Sequence, residues 1–338
     1  MENLTHTLTG LMLARIGLNR LAPQATAALV LASNLPDIDF VYYLGGPLSY
    51  LQYHRHWTHG LPLSPILALL NIGILWLMAR FIPSWKAAAW TTGSWVRAYL
   101  VSILGIVVHI LFDGTNAYAV RAALPFSADW FSANIFYVVD PLILFVLLLA
   151  VAAPAISGLV AGEIGGRKST GGGWAAFALL FILSYGGWRA MLHQRAVETL
   201  DSHVYVQGMA RRVEAFPTAF SPFTWIGFVE TDQSWGYYEF NLNAPFDPSA
   251  GSIAYKPPPN PAFDRTWQSA EGKVFRDFAR FAAWRVAPES DPEGSVSVEA
   301  NDLRFGPPRD PSFSFRTKYD KQLNQIEQTF IYGRPKAR

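Results

Sequence analysis

No cysteine occurs among the 338 residues, so disulfides are excluded and any bound metal must use histidine, aspartate or glutamate. Charge is scarce as well. Lys, Arg, Asp and Glu make up 15% of the chain against 51% hydrophobic residues, and the formal net charge is only +2. That balance leans toward a membrane protein. Without a dense Lys/Arg block, no nucleic-acid partner is expected. The opening MENLTHTLTG lacks a basic segment followed by an apolar core and a small-residue cleavage site, so no cleaved leader is expected. Histidine is sparse too: there are seven, yet His54, His56 and His59 fall within six positions.

Long apolar runs are what the chain has in plenty. Leu8 to Leu18 and Ala25 to Leu35 are each about a dozen residues, too short to cross a hydrocarbon core of roughly 30 Å at 1.5 Å per residue. They predict a re-entrant helical hairpin whose ends return to one side, bringing His6 near Asp37 and Asp39. Four later runs are long enough to span: Leu61 to Ile82, Arg97 to Phe112, Ile135 to Val160 and Gly173 to Leu192. The Gly-rich GEIGGRKSTGGG links the last two.

Loop charge orients the bundle. Arg80, Lys86 and Arg97, with no acid among them, and Arg167 with Lys168 fall on one face under alternating crossing, which places that face in the cytoplasm. The opposite face receives Asp37 to His59, the link after Phe112 and everything beyond Leu192. Arg189, Arg195, Arg211 and Arg212 argue the other way. From about Thr199 the chain turns to short aromatic runs with Pro and Gly punctuation, such as SWGYYEFNLN and SFSFRTKYD, which read as strands. One helical patch, Lys273 to Arg285, places Phe275, Phe278 and Ala282 on one face. The expected fold is a mainly α, multi-pass membrane bundle at 1–198 followed by a β-rich soluble domain at 199–338.

Polar groups of metal-ligand type are pinned between apolar segments. Asp37 and Asp39 close one run, and the three clustered histidines precede the next. Ionisable residues at a membrane edge are costly, which makes them a candidate site. His109 and Asp113 lie four apart in VVHILFDG, so one helix face presents both to one ion. The topology brings that pair to the same face as His59, Asp37 and Asp39. A buried His–Asp hydrogen bond in a helical bundle, or histidines at headgroup level among Tyr50, Tyr53 and Trp57, is the plainer alternative. Imidazole with carboxylate suits Zn²⁺, Mn²⁺ or iron rather than calcium or magnesium alone. Arg55 either grips a phosphate or carboxylate beside the metal or pairs with Asp37. Asp37 and Arg55 are accordingly expected to act in catalysis, with His54 and His56 left open. Asp140 before Pro141 reads as a helix cap, and His193 and His203 as solvated.

THTLTG, NLPDID, HRHWTHG and HILFDG, in that order, resemble the family of membrane-bound metal-dependent hydrolases also called LexA-binding inner-membrane-associated hydrolases. The resemblance covers residues 1 to about 140. The order His, Asp, His, His-x-x-x-Asp is also similar to the ligand order of zinc-dependent phospholipases C and related nucleases. By that likeness Asp39, His59 and His109 hold one ion, Asp113 bridges to a second, and His6 completes it. The resemblance implies one or two Zn²⁺ ions, with Mn²⁺ as a substitute. It also implies an inner-membrane hydrolase that uses a metal-activated water at the outer membrane face. A lipid or other phosphoester is the leading substrate, and the bilayer is a partner. A metal-dependent amide or ester hydrolase, or a membrane metal-binding or scaffold protein without turnover, is the alternative.

Overall fold

The computed structural model describes residues 1–86, 90–164, 170–308 and 312–332. Arg167 and Lys168, used above for orientation, lie outside the described residues. The chain forms two compact units, one of Met1–Asp39 with Arg55–Met191 and the other of Phe40–His54 with Leu192–Arg338.

The first unit is helical. Helix α1 (Asn3–Arg15) opens on Glu2, whose carboxylate accepts from the Thr5 amide. Gly17 at φ +122° turns the chain toward α2 (Ala25–Ala32). Thr7 near the start of α1 hydrogen-bonds Asn34 just past α2 at 3.2 Å, so the two short helices form an antiparallel hairpin. Among the described residues, four helices are long and apolar enough to cross a membrane: Leu61–Phe81, Thr92–Asp113, Pro141–Gly158 and Gly172–Asp201. They correspond to α4 (Ser64–Phe81), α6 (Thr92–Asp113), α7 (Pro141–Ile164) and α8 (Gly172–Asp201). Helix α5 (Pro83–Lys86) is a single turn between α4 and α6. Ile66, Leu69 and Leu183 stand exposed on their outer faces, which suits a lipid environment.

Caps explain where these helices differ from the apolar runs. Helix α6 begins at Thr92 rather than Arg97 because Thr91 and Ser94 form a reciprocal capping box. Helix α7 starts at Pro141 because Asp140 accepts from the amides of Leu142 and Ile143 at 3.1 and 3.2 Å, as its cap reading predicts.

Helix α2 is wedged between α1 and α6 by close backbone approach. A Cβ placed on Gly105 would lie 2.9 Å from the Ala32 Cβ, and one on Gly10 would lie 2.7 Å from Ser33 Oγ. Small residues at such contacts let helices pack tightly without a hydrophobic driving force. Asn71 of α4 adds a polar tie, donating to the Ala28 carbonyl at 2.9 Å and to Ser102 at 2.8 Å.

The second unit is β-rich. Strands β1 (Arg212–Pro217), β2 (Thr224–Glu230), β3 (Ser234–Asn241) and β4 (Ser252–Tyr255) form one antiparallel meander. Leu192, Ala196 and Leu200, from the end of α8, pack with Trp225, Val229 and Tyr238 of that sheet. After α9 (Pro261–Gln268) and α10 (Ala270–Phe278), strands β5 (Ala282–Glu289), β6 (Ser295–Asp302), β7 (Phe313–Tyr319) and β8 (Gln325–Tyr332) form a second meander. The helical patch at Lys273–Arg285 therefore ends early, at Phe278. Ala282 starts a strand, because Trp284 is needed in the aromatic cluster with Phe263, Trp267 and Phe275. Helix α3 (Pro47–Tyr53), although it comes from the N-terminal half, packs on α10 and β8.

Candidate metal centre

Three structural pieces converge. A 3-10 stretch, Leu35–Gly45, carries Asp37 and Asp39 directly after α2. A 3-10 turn, Trp57–His59, presents His59. The following Gly60 has no room for a side chain, since a Cβ there would meet the Leu124 carbonyl at 2.8 Å. The last turn of α6 brings His109 and Asp113.

One donor atom from each of Asp37, His59, His109 and Asp113 lies within 4.8 Å of the other three. The two imidazole Nε2 atoms are 3.3 Å apart. His59 Nε2 is 3.6 Å from Asp37 Oδ1 and 3.4 Å from Asp113 Oδ2, and His109 Nε2 is 3.6 Å from each of these oxygens. Five of the six donor–donor distances are thus 3.3–3.6 Å. A regular tetrahedron of that edge has its centre about 2.0–2.2 Å from its corners, the length of zinc–nitrogen and zinc–oxygen bonds. His59, His109 and Asp113 are fully buried, while the Asp37 side chain retains 17% exposure and marks the open side.

Groups behind the donors set their orientation. His109 Nδ1 donates to the Ser33 carbonyl at 2.8 Å, which leaves Nε2 as the nitrogen facing the group. His59 Nδ1 stands 3.0 Å from Thr58 Oγ1 and 3.3 Å from Asp39 Oδ2. Asp39 Oδ2 also accepts from the Arg55 amide at 2.7 Å and from Thr58 at 3.1 Å. Burial alone would lower the His59 imidazole, yet the carboxylates of Asp113, Asp37 and Asp39 around it raise it to about 10. Such a site demands positive charge, whether as a proton or as a metal ion.

Asp37, expected in catalysis, is among the clustered donors; Asp39, expected as a ligand, backs His59. Arg55, also expected in catalysis, is buried, and both its Nη atoms are engaged. Its Nη2 is 3.0 Å from Asp113 Oδ2, and its Nη1 donates to Asn116 Oδ1 at 3.0 Å. It holds this geometry from a left-handed backbone, φ +55°.

His6 stacks on His109 with ring centroids 3.8 Å apart, and its Nε2 lies 3.3 Å from Asp113 Oδ1. The Met1 amino group also contacts that oxygen. Asp113 therefore offers one oxygen to the four-donor group and the other to His6. His54 stacks on Tyr50 and His56 lies edge-on to Trp57; neither joins the donor group. His193 is not solvated as expected, because it pairs with Glu214 at 2.9 Å and is half-buried. Ser33, Thr58 and Asn116 were not singled out by sequence. Only Thr58 carried a signal, through its place beside His59.

The family model described as YdjM inner membrane protein matches residues 1–196. The uncharacterized protein YfhP of Bacillus subtilis (strain 168) is 28% identical over 160 residues, 45% of this chain and 46% of that protein. The chain thus spans under half the length of that curated relative. No solved structure matches it. The family match takes in the hairpin, the first three of these apolar helices, the fourth as far as residue 196 and every residue of the donor group, and the chain belongs to the YdjM inner membrane protein family.

Proposed function

We propose that this protein is an integral-membrane, metal-dependent hydrolase of phosphoesters, with one Zn²⁺ or Mn²⁺ held by Asp37, His59, His109 and Asp113. The observation that carries this reading is the gathering of four buried or half-buried donors within 4.8 Å of one another in a chain with no thiolate to offer. A bound ion there would supply a water of pKa about 7 and polarise the scissile group. The chain's own residues do the rest. Ser33 and Asp39 orient the imidazoles, Arg55 holds Asp113, and the exposed edge of Asp37 leaves an approach for substrate. Asp113 Oδ1 with His6 forms a smaller donor pair that a second ion would share only by displacing the Met1 amino group from that oxygen.

Position supports a lipid phosphoester. His59 lies just before the span that opens at Leu61, and Asp113 closes the span that opens at Thr92. The donor group therefore lies at a membrane–water boundary, where a headgroup can reach it. The cations Arg80, Lys86 and Arg97 at the far ends of these spans favour the outer face for the site. Amide or ester hydrolysis remains within the reach of the same donors.

The count of protein donors favours a second reading. Four already complete a tetrahedral shell, as in structural zinc sites, whereas catalytic zinc keeps an open position. The test uses purified full-length protein, stripped by chelator and reloaded with Zn²⁺ or Mn²⁺. It is assayed on phospholipids, soluble phosphodiesters, esters and amides. Metal-dependent phosphodiester turnover supports the proposal. Stoichiometric metal with no turnover on any of the panel leaves the structural site in its place.

A further inference from the structure

At the ends of α4 and α6 opposite His59 and Asp113, about 30 Å along α6 at 1.5 Å per residue, indoles gather. Trp76, Ala79, Arg80, Trp85, Trp90 and Trp95 line an open surface depression of about 530 Å³. The Arg80 guanidinium lies over the Trp76 ring at 3.8 Å. Trp90 and Trp95 stack on each other, centroids 3.8 Å apart and planes 20° from parallel. The Trp90 indole N–H is buried without a hydrogen-bond partner.

Tryptophan at helix ends is ordinary in membrane proteins, where it forms a belt at headgroup level. A belt does not require the rings to gather around a cation, as they do here around Arg80. Charge sharpens the point, since no Asp or Glu occurs between Asp39 and Asp113, while Arg80, Lys86 and Arg97 all do. Among the described residues no carboxylate pairs with Arg80. Its flat face is taken by Trp76, and its in-plane N–H groups remain free to grip an oxyanion.

We propose that this depression is a headgroup site for an anionic glycerophospholipid of the bilayer, its phosphodiester held by Arg80 among the surrounding indoles. A quaternary ammonium fits less well, although aromatic cages do bind such groups. Trp76 already carries a cation, Trp90 and Trp95 each spend a face on the other, and no acid in this stretch balances a second positive charge. The site lies far from the donor group and stands whether or not the hydrolase reading holds.

Native mass spectrometry of the full chain in detergent tests this, titrating phosphatidylglycerol and phosphatidylcholine of identical acyl chains. Unmodified protein should bind the first phosphatidylglycerol several-fold more tightly. Arg80→Gln should weaken that binding roughly fivefold, the worth of one cation near a lipid surface, and leave phosphatidylcholine unchanged. Arg265→Gln in the β-rich unit makes the same charge change and should alter neither. Equal affinity for the two lipids in the unmodified chain would overturn the proposal, with no dependence on how any variant folds. So would full phosphatidylglycerol preference in Arg80→Gln. Displacement of the lipid by equimolar glycerol phosphate would overturn the assignment to a bilayer lipid.

Discussion

Asp39 Oδ2 stands 3.3 Å from Nδ1 of His59, on the side of the ring that faces away from the four-donor group. The same imidazole turns Nε2 toward Asp37 Oδ1, 3.6 Å away. Two carboxylates that are near neighbours in sequence thus grip opposite edges of one ring, and they should fail differently. Asp37→Ala should abolish high-affinity metal binding, because it removes a donor. Asp39→Asn should bind the ion about 10–100-fold more weakly, the usual cost of losing an orienting partner. Metal content by plasma mass spectrometry, with competition against a chelator of known affinity, separates the two. Equal losses would refute this division of roles.

Arg55 is predicted to matter for folding before it matters for chemistry. Its guanidinium neutralises the buried Asp113 carboxylate, and removing one partner of a buried ion pair costs about 3–5 kcal/mol. Arg55→Ala should therefore lower the thermal midpoint sharply, and added Zn²⁺ should restore part of the loss by supplying charge to Asp113. Arg55→Lys should rescue only partly, since an ammonium cannot serve Asp113 and Asn116 with the same planar fork. A variant of unchanged stability whose only defect is a raised KM would instead return Arg55 to a substrate-binding role.

Gly105 gives a test of packing. A side chain there meets Ala32 of α2, and Gly105→Val should destabilise the protein by about 1–3 kcal/mol, the typical cost of overpacking. Metal affinity should fall with it, because the displaced α2 leads into Ser33, whose carbonyl fixes His109. Gly73→Ala in α4 is the control. Nothing lies within 4 Å of its added Cβ, and the exchange should hold or raise stability by up to about 1 kcal/mol.

Orientation can be read by labelling, since the chain has no native cysteine. Thr92→Cys, exposed at the start of α6, should resist an impermeant thiol reagent in intact cells. Ser249→Cys, exposed in the β-rich unit, should react with it. The reverse pattern would place the donor group on the cytoplasmic side.

The parts of the site that were legible in sequence are those a regular helix dictates. His109 and Asp113 share a face at any position along an α-helix, so their spacing sufficed. Asp37 and Asp39 sit instead in a 3-10 stretch, where each residue advances by about 120°. Two residues therefore point in different directions, and which one meets His59 Nε2 depends on how α2 lodges between Gly10 and Gly105. Arg55 was ambiguous for a related reason. A left-handed backbone decides where its side chain goes, and nothing in HRHWTHG announces that conformation. In the β-rich half, the patch Lys273–Arg285 had helical periodicity throughout. Only the tertiary demand of Trp284 for its aromatic neighbours ended the helix at Phe278.

The route of the chain between Asp39 and Arg55 bears on ancestry. Residues 40–54 leave the unit that carries the donors, lend α3 to the β-rich unit, and return. The family match stops at residue 196, before any strand. A relative that never acquired the β-rich half has no α10 or β8 for α3, with its buried Leu51, to pack on. It must carry a shorter or more polar segment there. Insertions and deletions in this one loop should therefore track, across the family, the gain and loss of an entire domain encoded some 150 residues downstream.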